Sequence, residues 1–303
     1  MKDFEKKVAV ITGAASGIGF GMAERCAREG MHVVMADIEE QALQVSKKQL
    51  EENGASVISV VTDVAQEDQI ETLAQQAMER FGGVHLLVNN AGVGAGQTLW
   101  KATVADWQWT MGVNLWGTIH GIRTFIPLML EQDADCHIVN VASIEGLWSR
   151  ATAGIYQVTK HAVVSLSEVL YYQLKLEKSR IGVSVLCPGG VDTNILDSWR
   201  NRPESMQNPP ESIPKYTPQM EERMVQMRQA FKEGMKPLEV ADYIFKAVKK
   251  DKFYIFTHPE LKKYVKKRMK NILKEKNPKS PFPEREATLW AEYRKMMNLN
   301  PNS

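Results

Sequence analysis

Cysteine is scarce here. Cys26, Cys136 and Cys187 are the three in 303 residues, widely spaced and in no Cys-x-x-Cys pair. An odd, dispersed set does not suit a disulfide framework, so the expected compartment is the reducing cytoplasm. The six histidines are scattered without metal-ligand spacing, and no metal is expected. No apolar run approaches the roughly eighteen residues of a membrane span. The opening, Met1-Lys2-Asp3-Phe4, passes through charged residues straight into the strand-like Val8-Ala9-Val10-Ile11, with no signal-peptide pattern. An excess of one charge is missing too: 38 Lys and Arg against 36 Asp and Glu leave a net charge of +2. That balance argues against a strong electrostatic commitment to nucleic acid or to a membrane.

What is present is an ordinary globular composition, 44% hydrophobic and 24% charged, enough for a full core in one large α/β domain or two small ones. Residues 7–11 read as a strand. A glycine-rich turn, Thr12-Gly13-Ala14-Ala15-Ser16-Gly17-Ile18-Gly19, follows, then a helix through Arg28 closed by Gly30. The glycines let backbone approach a ligand, and the helix N-terminus offers free N–H groups to a pyrophosphate. The spacing G-x-x-x-G-x-G differs from the standard dinucleotide fingerprint, and a tight turn without ligand is the plainer alternative. A second strand over 31–36 ends at Asp37, placed to bond the adenosine ribose hydroxyls and to repel a 2′-phosphate. No Arg or Lys stands beside it or between Gly13 and Gly19, so NAD is read over NADP. Asp37 could also cap the helix expected over 39–53.

A third strand over 55–61 leads to Asp63-Val64, a helix over 66–81 is stopped by Gly82-Gly83, and a fourth strand over 84–88 leads to Asn89-Asn90-Ala91-Gly92. Small residues at that strand end let a nucleotide pack on the backbone, and the Asn side chains can pin neighbouring strands. Strands alternating with helices imply a parallel sheet covered on both faces. A long helix is expected over 107–129, with the polar Asn114 in it, and Gly117 and Gly121 for close packing or a kink. Asn114 either holds a water that passes protons to Lys160 or is a satisfied buried amide.

The fifth strand, 136–142, delivers Ser143 thirteen positions before Tyr156, and Lys160 follows four later. On the helix expected from 153 to about 178, Tyr156 and Lys160 share a face. A phenol ionises near pH ~10 and is a poor base at neutrality. A nearby cation favours the phenolate, and Ser143 can bond the same oxygen that the Tyr serves, which makes a site for moving a proton on or off an alcohol. Taken alone, Tyr-x-x-x-Lys also fits a solvated helix face. The sixth strand, 182–187, ends in Pro188-Gly189-Gly190-Val191-Asp192-Thr193, where a backbone N–H and the Thr193 hydroxyl could meet a nicotinamide carboxamide.

Taken together, Thr12-Gly-x-x-x-Gly-x-Gly19, Asp63, Asn89-Asn-Ala-Gly92, Asn114, Ser143, Tyr156-x-x-x-Lys160 and Pro188-Gly189…Thr193 resemble the short-chain dehydrogenase/reductase family, over roughly residues 5–257. The resemblance implies an α/β Rossmann-type fold, a doubly wound parallel seven-stranded sheet with helices on both faces. It implies Tyr156 as acid/base, Ser143 orienting the substrate oxygen, Lys160 lowering the Tyr156 pKa and holding the nicotinamide ribose, and Asn114 in a proton relay. It implies Asp63 and Val64 near the adenine, Asn90, Ala91 and Gly92 along the adenosine ribose, and Pro188, Gly189, Val191 and Thr193 around the carboxamide, with Gly13, Ser16, Gly17, Ile18 and Gly19 on the pyrophosphate. It also implies a homodimer or homotetramer formed through the helices at 107–129 and 153–178. Ala142 departs from the family's frequent second Ser before Ser143, without touching the catalytic position.

One domain is expected over 1–258. Within it the long segment 194–236, with Pro203, Pro209, Pro210, Pro214 and Pro218 and a Met-rich helix over 220–231, reads as a substrate lid. Glu145, Leu147, Trp148, Ile195, Leu196 and Trp199 are the expected substrate-binding residues, and they favour a hydrophobic or aromatic secondary alcohol or ketone. The Met stripe fits such a pocket or, equally, plain lid packing or a dimer contact, and Glu145 could merely face solvent. Beyond a last core helix over 238–250 and a strand over 253–256, a basic extension covers 259–303. Residues 262–279 hold nine Lys/Arg and one acid, with Leu261, Val265, Met269 and Ile272 at helical spacing. Such a helix can pack one face on its own domain, lie on an anionic membrane or bind nucleic acid. A break over 277–283 and a final helix over 287–297 complete the chain. The opening, the lid and the extension also resemble Cα-dehydrogenases that oxidise benzylic alcohols of lignin-derived aryl ethers. The rival reading is a non-catalytic NAD(H)-binding or interaction protein on the same fold. Such a protein would be free to lose a member of the Ser143, Tyr156, Lys160 and Asn114 set.

Overall fold

Successive strand residues point to opposite faces of a sheet, and both faces are apolar here. Val8, Val10, Val34 and Ala36 pack on one side against Ile70, Leu73, Phe125, Met129, Leu170 and Leu174. Ala9, Ile11, Val33 and Met35 pack on the other against Met22, Ala23, Cys26, Leu43, Ile244 and Phe245. Strands buried on both faces read as continuous apolar runs, which is the mark of a parallel sheet between helical layers. The computed structural model describes residues 1–94, 98–209, 218–284 and 287–288, apart from the side chains of 219 and 220.

In chain order the first half runs β1 (Val8–Thr12), α1 (Gly17–Arg28), β2 (His32–Asp37), α2 (Glu40–Glu52), β3 (Val57–Val61), α3 (Glu67–Phe81), β4 (Leu86–Asn89), α4 (Val104–Met111) and α5 (Gly117–Glu131). The second half runs β5 (Cys136–Val141), α6 (Gly154–Leu176), β6 (Ile181–Cys187), α7 (Pro218–Lys232), α8 (Pro237–Lys249), β7 (Tyr254–Phe256) and α9 (Lys262–Leu273). The seven-stranded sheet has the order β3-β2-β1-β4-β5-β6-β7, every neighbouring pair parallel. This is a doubly wound Rossmann-type sheet, and its order reverses between β1 and β4. A crevice opens at such a reversal, outside the carboxyl ends of the strands.

Three differences from the sequence expectation have local causes. The helix expected from 107 begins at Val104, because Thr103 Oγ1 accepts from Asp106 N at 3.1 Å while the Asp106 carboxylate accepts from Thr103 N at 2.8 Å. That capping box satisfies two otherwise orphan donors. The same helix is interrupted by a π turn over Gly112–Trp116, where the Asn114 amide is tied to the backbone of Val93. Gly121 gives close packing, as a Cβ there would lie 2.2 Å from Asn89 Oδ1. At the other end of the chain, α9 stops at Leu273, ahead of the break expected from 277. Glu275 turns to φ +52° and Lys276 N returns to Asn271 O at 2.9 Å. The final helix expected over 287–297 lies outside the described residues beyond 288.

The excursion between β6 and α8 is closed at its base. Met235 N donates to Gly190 O at 3.2 Å, and Asp192 N donates to Met235 O at 3.0 Å. Among the described residues no helix is long and apolar enough to cross a membrane.

Candidate active site

The crevice is walled by the turns after β1 and β4. Gly13 and Gly17 adopt φ of +64° and +53°, which side-chain-bearing residues rarely do. Thr12 Oγ1 accepts from Asn90 N and Ala91 N at 3.0 and 3.1 Å, and Asn90 Nδ2 donates to Thr12 O at 2.8 Å and Gly13 O at 3.1 Å. The Asn90 side chain thus sews the two turns together. Thr12 has a joining role that its place in the motif did not reveal. Ser16, at the N-cap of α1, makes no side-chain cap, so the first-turn N–H groups of Gly17 and Ile18 face the turn uncapped. That arrangement fits a pyrophosphate.

At the end of β2, Asp37 Oδ2 accepts from Ala15 N at 2.9 Å and Oδ1 from Glu39 N at 3.0 Å. Burial raises its carboxyl pKa, against the pull of these two bonds. The N-cap of α2 is Glu39, so Asp37 does not hold the capping position. Asp63 Oδ1 turns onto Ala65 N at 3.0 Å, and the carbonyl of buried Val64 lies 3.0 Å from His120 Nδ1.

Past the crevice, Ser143 lies two residues beyond the end of β5 and is buried. The Glu145 N–H donates to Ser143 Oγ at 3.1 Å, and Ser143 is close enough to the Tyr156 phenol to lower its pKa. With one Oγ lone pair occupied, the serine proton is free to point at the phenol oxygen. Lys160, one turn beyond Tyr156 on α6, is buried, with Nζ donating to Val141 O at 2.9 Å and 5.7 Å from the centre of the Tyr156 ring. Burial pushes the Lys160 ammonium down to about 8. Burial pushes the Tyr156 phenol up to about 12; the Ser143 bond and Arg150 pull it down and Glu145 raises it further. Lys160 is not among the groups that pull the phenol down in the protein alone. There Lys160 is turned to a carbonyl, and desolvation of the phenolate outweighs Ser143 and the Arg150 charge.

Asn114 is likewise committed. Its Oδ1 accepts from Val93 N at 2.7 Å and its Nδ2 donates to Val93 O at 2.9 Å and Thr159 Oγ1 at 3.2 Å. It is a satisfied buried amide, and no direct bond links it to Lys160. Yet Asn114 Oδ1 and Lys160 Nζ would each lie 3.4 Å from a Cβ at Gly92, so both border the same small space.

The expected substrate residues divide. Leu147, Ile195 and Leu196 are half-buried, Leu147 against the cluster of Ala142, Val163, Val164, Val185 and Cys187. Both Glu145 oxygens are taken, by Arg150 Nε at 2.7 Å and Gln157 Nε2 at 2.5 Å, which ties the loop before α6 to the helix. Trp148 is only 3% exposed, edge-on to Tyr264 at 5.4 Å and Phe282 at 5.9 Å, so it lies under the C-terminal segment rather than facing an open pocket. Trp199 packs on Trp109 at 5.4 Å and over the Arg202 guanidinium at 4.9 Å. After β6, Pro188 O accepts from Ile144 N at 2.9 Å, Gly189 N donates to His258 Nδ1 at 3.2 Å, and Val191 bridges to Met235. A Cβ on Gly17 would lie 2.9 Å from Thr193 Cγ2, so Thr193 closes on the glycine-rich turn.

Two charged pairs were not foreseen. Arg202 and Asp106, 1% and 3% exposed at their side chains, meet at 2.6 Å. Arg200 pairs with Glu39 across 161 positions of sequence. Neither pair carries a periodic signal, and each forms only because the segment after β6 returns across the strand ends.

The comparisons with known proteins agree with this geometry. The family model described as short chain dehydrogenase matches residues 7–204. A CLA biosynthesis dehydrogenase/reductase of Lactiplantibacillus plantarum is 36% identical over 279 residues, 92% of this chain and 97% of its own. A C alpha-dehydrogenase of Sphingobium sp. strain SYK-6 is 34% identical over 285 residues, 94% of this chain and 91% of its own. The crystal structure of a short chain dehydrogenase/reductase from Burkholderia phymatum in complex with NAD superposes with a TM-score of 0.88 at 45% identity, over 93% of this chain and 99% of that one. With a doubly wound sheet, a glycine-rich turn at its switch point and a Ser–Tyr–Lys group beside it, the chain belongs to the short chain dehydrogenase family.

Proposed function

We propose that the protein is an NAD(H)-dependent oxidoreductase that interconverts a hydrophobic or aromatic secondary alcohol and its ketone, with Tyr156 as acid and base. The observation that carries the reading is the grouping of buried Ser143, Tyr156 and buried Lys160 beside the crevice, with Lys160 Nζ 5.7 Å from the centre of the Tyr156 ring. When bound, the dinucleotide accepts hydride from the alcohol carbon or returns it to the ketone carbon. Tyr156 takes the proton of the alcohol oxygen in oxidation and gives it back in reduction. Ser143 donates to the same oxygen and fixes its place. Lys160, beside Gly92, would hold the nicotinamide ribose, and Asn114, which borders the same space, would serve as a relay member through a water.

The turn from Gly13 to Gly19 and the uncapped start of α1 would hold the pyrophosphate, with Asp63, Val64, Asn90 and Ala91 toward the adenosine. Asp37 would bond the ribose hydroxyls, and a carboxylate there opposes a 2′-phosphate, which favours NAD over NADP. The NAD in the Burkholderia phymatum structure supports the same choice. Val191 and Thr193 would meet the carboxamide. Residues 194–236 would act as the lid of one domain over 1–258, whose apolar side chains favour a bulky substrate. The Sphingobium relative, named as a C alpha-dehydrogenase, adds weight to benzylic alcohols. Trp116, Val158, Val169 and Tyr172, 45–65% exposed on and next to α5 and on α6, support a homodimer or homotetramer through those helices.

The test is NADH formation from NAD by purified protein over aliphatic, benzylic, terpenoid and steroid secondary alcohols, repeated with NADP. Turnover on one bulky class with NAD, lost in Tyr156→Phe, is expected. Silence across the panel with NADH still bound would move the protein to the non-catalytic binders of the fold.

A further inference from the structure

The segment that follows Thr193 does more than hang beside the crevice. It crosses it. Thr193 abuts the turn after β1 at Gly17. Ser198 Oγ accepts from Gly94 N, after β4, at 2.8 Å, and a Cβ on Gly94 would lie 3.0 Å from Ile195 O. Arg200 reaches the turn after β2, with Nε 3.1 Å from Glu39 Oε2 and a second, shorter bond from Nη2 to Oε1. Asn201 Nδ2 adds a bond to Glu39 Oε1 at 3.0 Å. Residues 193–201 therefore rest on three of the strand-end turns between which a dinucleotide would lie, on both sides of the switch point.

The supports of this strap differ in kind. At its far end Arg202 meets Asp106 in a buried pair, and Asn208 Nδ2 bonds the same carboxylate at 2.8 Å. Opening that junction would leave a charge buried without its partner, which is costly. The Glu39–Arg200 pair is 28% and 37% exposed at its side chains. Water can replace each partner there, so the pair opens at little cost. Arg200 is also pre-set for closure, because Nη1 donates to Asp197 O at 2.9 Å and Asp197 is itself held by Arg228 at 2.6 Å.

We propose that Glu39, Arg200 and Asn201 form a latch over the adenosine end of the crevice, that the dinucleotide is retained beneath it, and that its opening is the step by which cofactor enters and leaves. The proposal rests on the reading of the crevice as the dinucleotide site. Arg200, Asn201 and Glu39 are then positioning residues, and the buried Arg202–Asp106 pair is the hinge that stays shut.

The experiment is stopped-flow fluorescence of NADH binding and release on the full-length protein, comparing wild type, Glu39→Gln, Arg200→Met and the double variant. Both single variants should speed entry and release together, by about three- to five-fold for a pair of this exposure. The double variant should be no faster than either single one, since one contact is lost in all three. Salt at about 1 M should speed the wild type and leave the double variant unchanged, because exposed pairs are screened. Release rates equal to wild type in either single variant would overturn the latch while leaving the dinucleotide site intact. Faster release with unchanged entry would make the pair a direct cofactor contact and would also overturn it. A wild-type protein that binds no NADH would sink the cofactor reading itself, and the latch with it.

Discussion

The sheet end that carries Ser143, Tyr156 and Lys160 and the strap that crosses the crevice are held by different physics. At the sheet end, strand β5 and helix α6 bring the groups together, and backbone atoms fix them: Glu145 N on Ser143, Val141 O on Lys160. The strap depends on side-chain charges that meet partners 96 and 161 positions away. A site fixed by backbone is rigid, as chemistry demands. A segment fixed by a few ion pairs can open without disturbing the sheet. The contrast assigns proton transfer to one region and cofactor exchange to the other, and it can be broken in a graded way.

Tyr156→Phe tests the rigid side and should have the largest effect. It removes the phenol oxygen and leaves the ring, so turnover should fall by about 10²–10⁴-fold, the range of a lost general acid/base. NADH affinity, read by fluorescence titration, should stay near wild type. Near-normal turnover would mean that proton transfer does not occur at the Tyr156 phenol.

Asp106→Ala tests the strap. Burial alone would raise the Asp106 carboxyl pKa, but the bonds from Arg202 and Asn208 outweigh it and hold the group below the usual carboxylate range. Removing it strands the Arg202 guanidinium between Trp109 and Trp199, where its Nε already finds no hydrogen-bond partner among the described residues. The loss should be about 3–5 kcal/mol, concentrated on the strap and on the first turn of α4, whose capping box loses its Asp106 half. Proteolysis within residues 194–209 should quicken while far-UV circular dichroism and the sheet's thermal transition hold. Cooperative loss of the whole fold instead would show that strap and sheet are one unit, and the contrast would fail.

The same contrast explains what was legible in the sequence. Strands buried on both faces leave unbroken apolar runs, so the seven-stranded sheet could be read, with ends displaced by a residue or two. Tyr156 and Lys160 were legible as a pair because helical spacing alone puts them on one face. The direction of the Tyr156 shift was not, since spacing carries no record of burial, and burial is what raises the phenol. Trp148 looked like a pocket wall because its partners, Tyr264 and Phe282, lie more than a hundred residues on. Arg200 was invisible for the same reason: nothing local marks it as the neighbour of Glu39.

Ser143→Ala sharpens the rigid side through pH. The group that must lose its proton for alcohol oxidation is the Tyr156 phenol, so oxidation should rise with pH and ketone reduction should fall. The Ser143 bond lowers the phenol pKa. Its removal should therefore raise that pKa and move the rising limb of the oxidation profile to more alkaline pH, alongside a drop in rate from the lost substrate contact. A pH profile of kcat/KM in both directions measures this. A limb that stays in place would mean that the serine bond does not act on the ionisation of the phenol.

Tyr264→Ala should have the smallest effect, and it probes a junction that is long-range like the strap but apolar like the core. The Tyr264 ring lies edge-on to Trp148 and 5.2 Å from Phe282, and at this point the C-terminal segment covers the loop that follows Ser143. The rest of α9 is held loosely, with Met269, Ile272 and Leu273 exposed. An aromatic pair of this geometry contributes about 0.5–1.5 kcal/mol beyond its buried area. The variant should lower thermal stability modestly and expose Trp148, which a red-shifted indole emission would report against Trp148→Phe as the reference. Because Trp148 sits five residues from Ser143 while Tyr156 is anchored separately, KM for a bulky alcohol should rise with kcat little changed. A fall in kcat at constant KM would show that the C-terminal segment braces the proton-transfer group itself. The rigid side of the comparison would then extend into the last fifty residues of the chain.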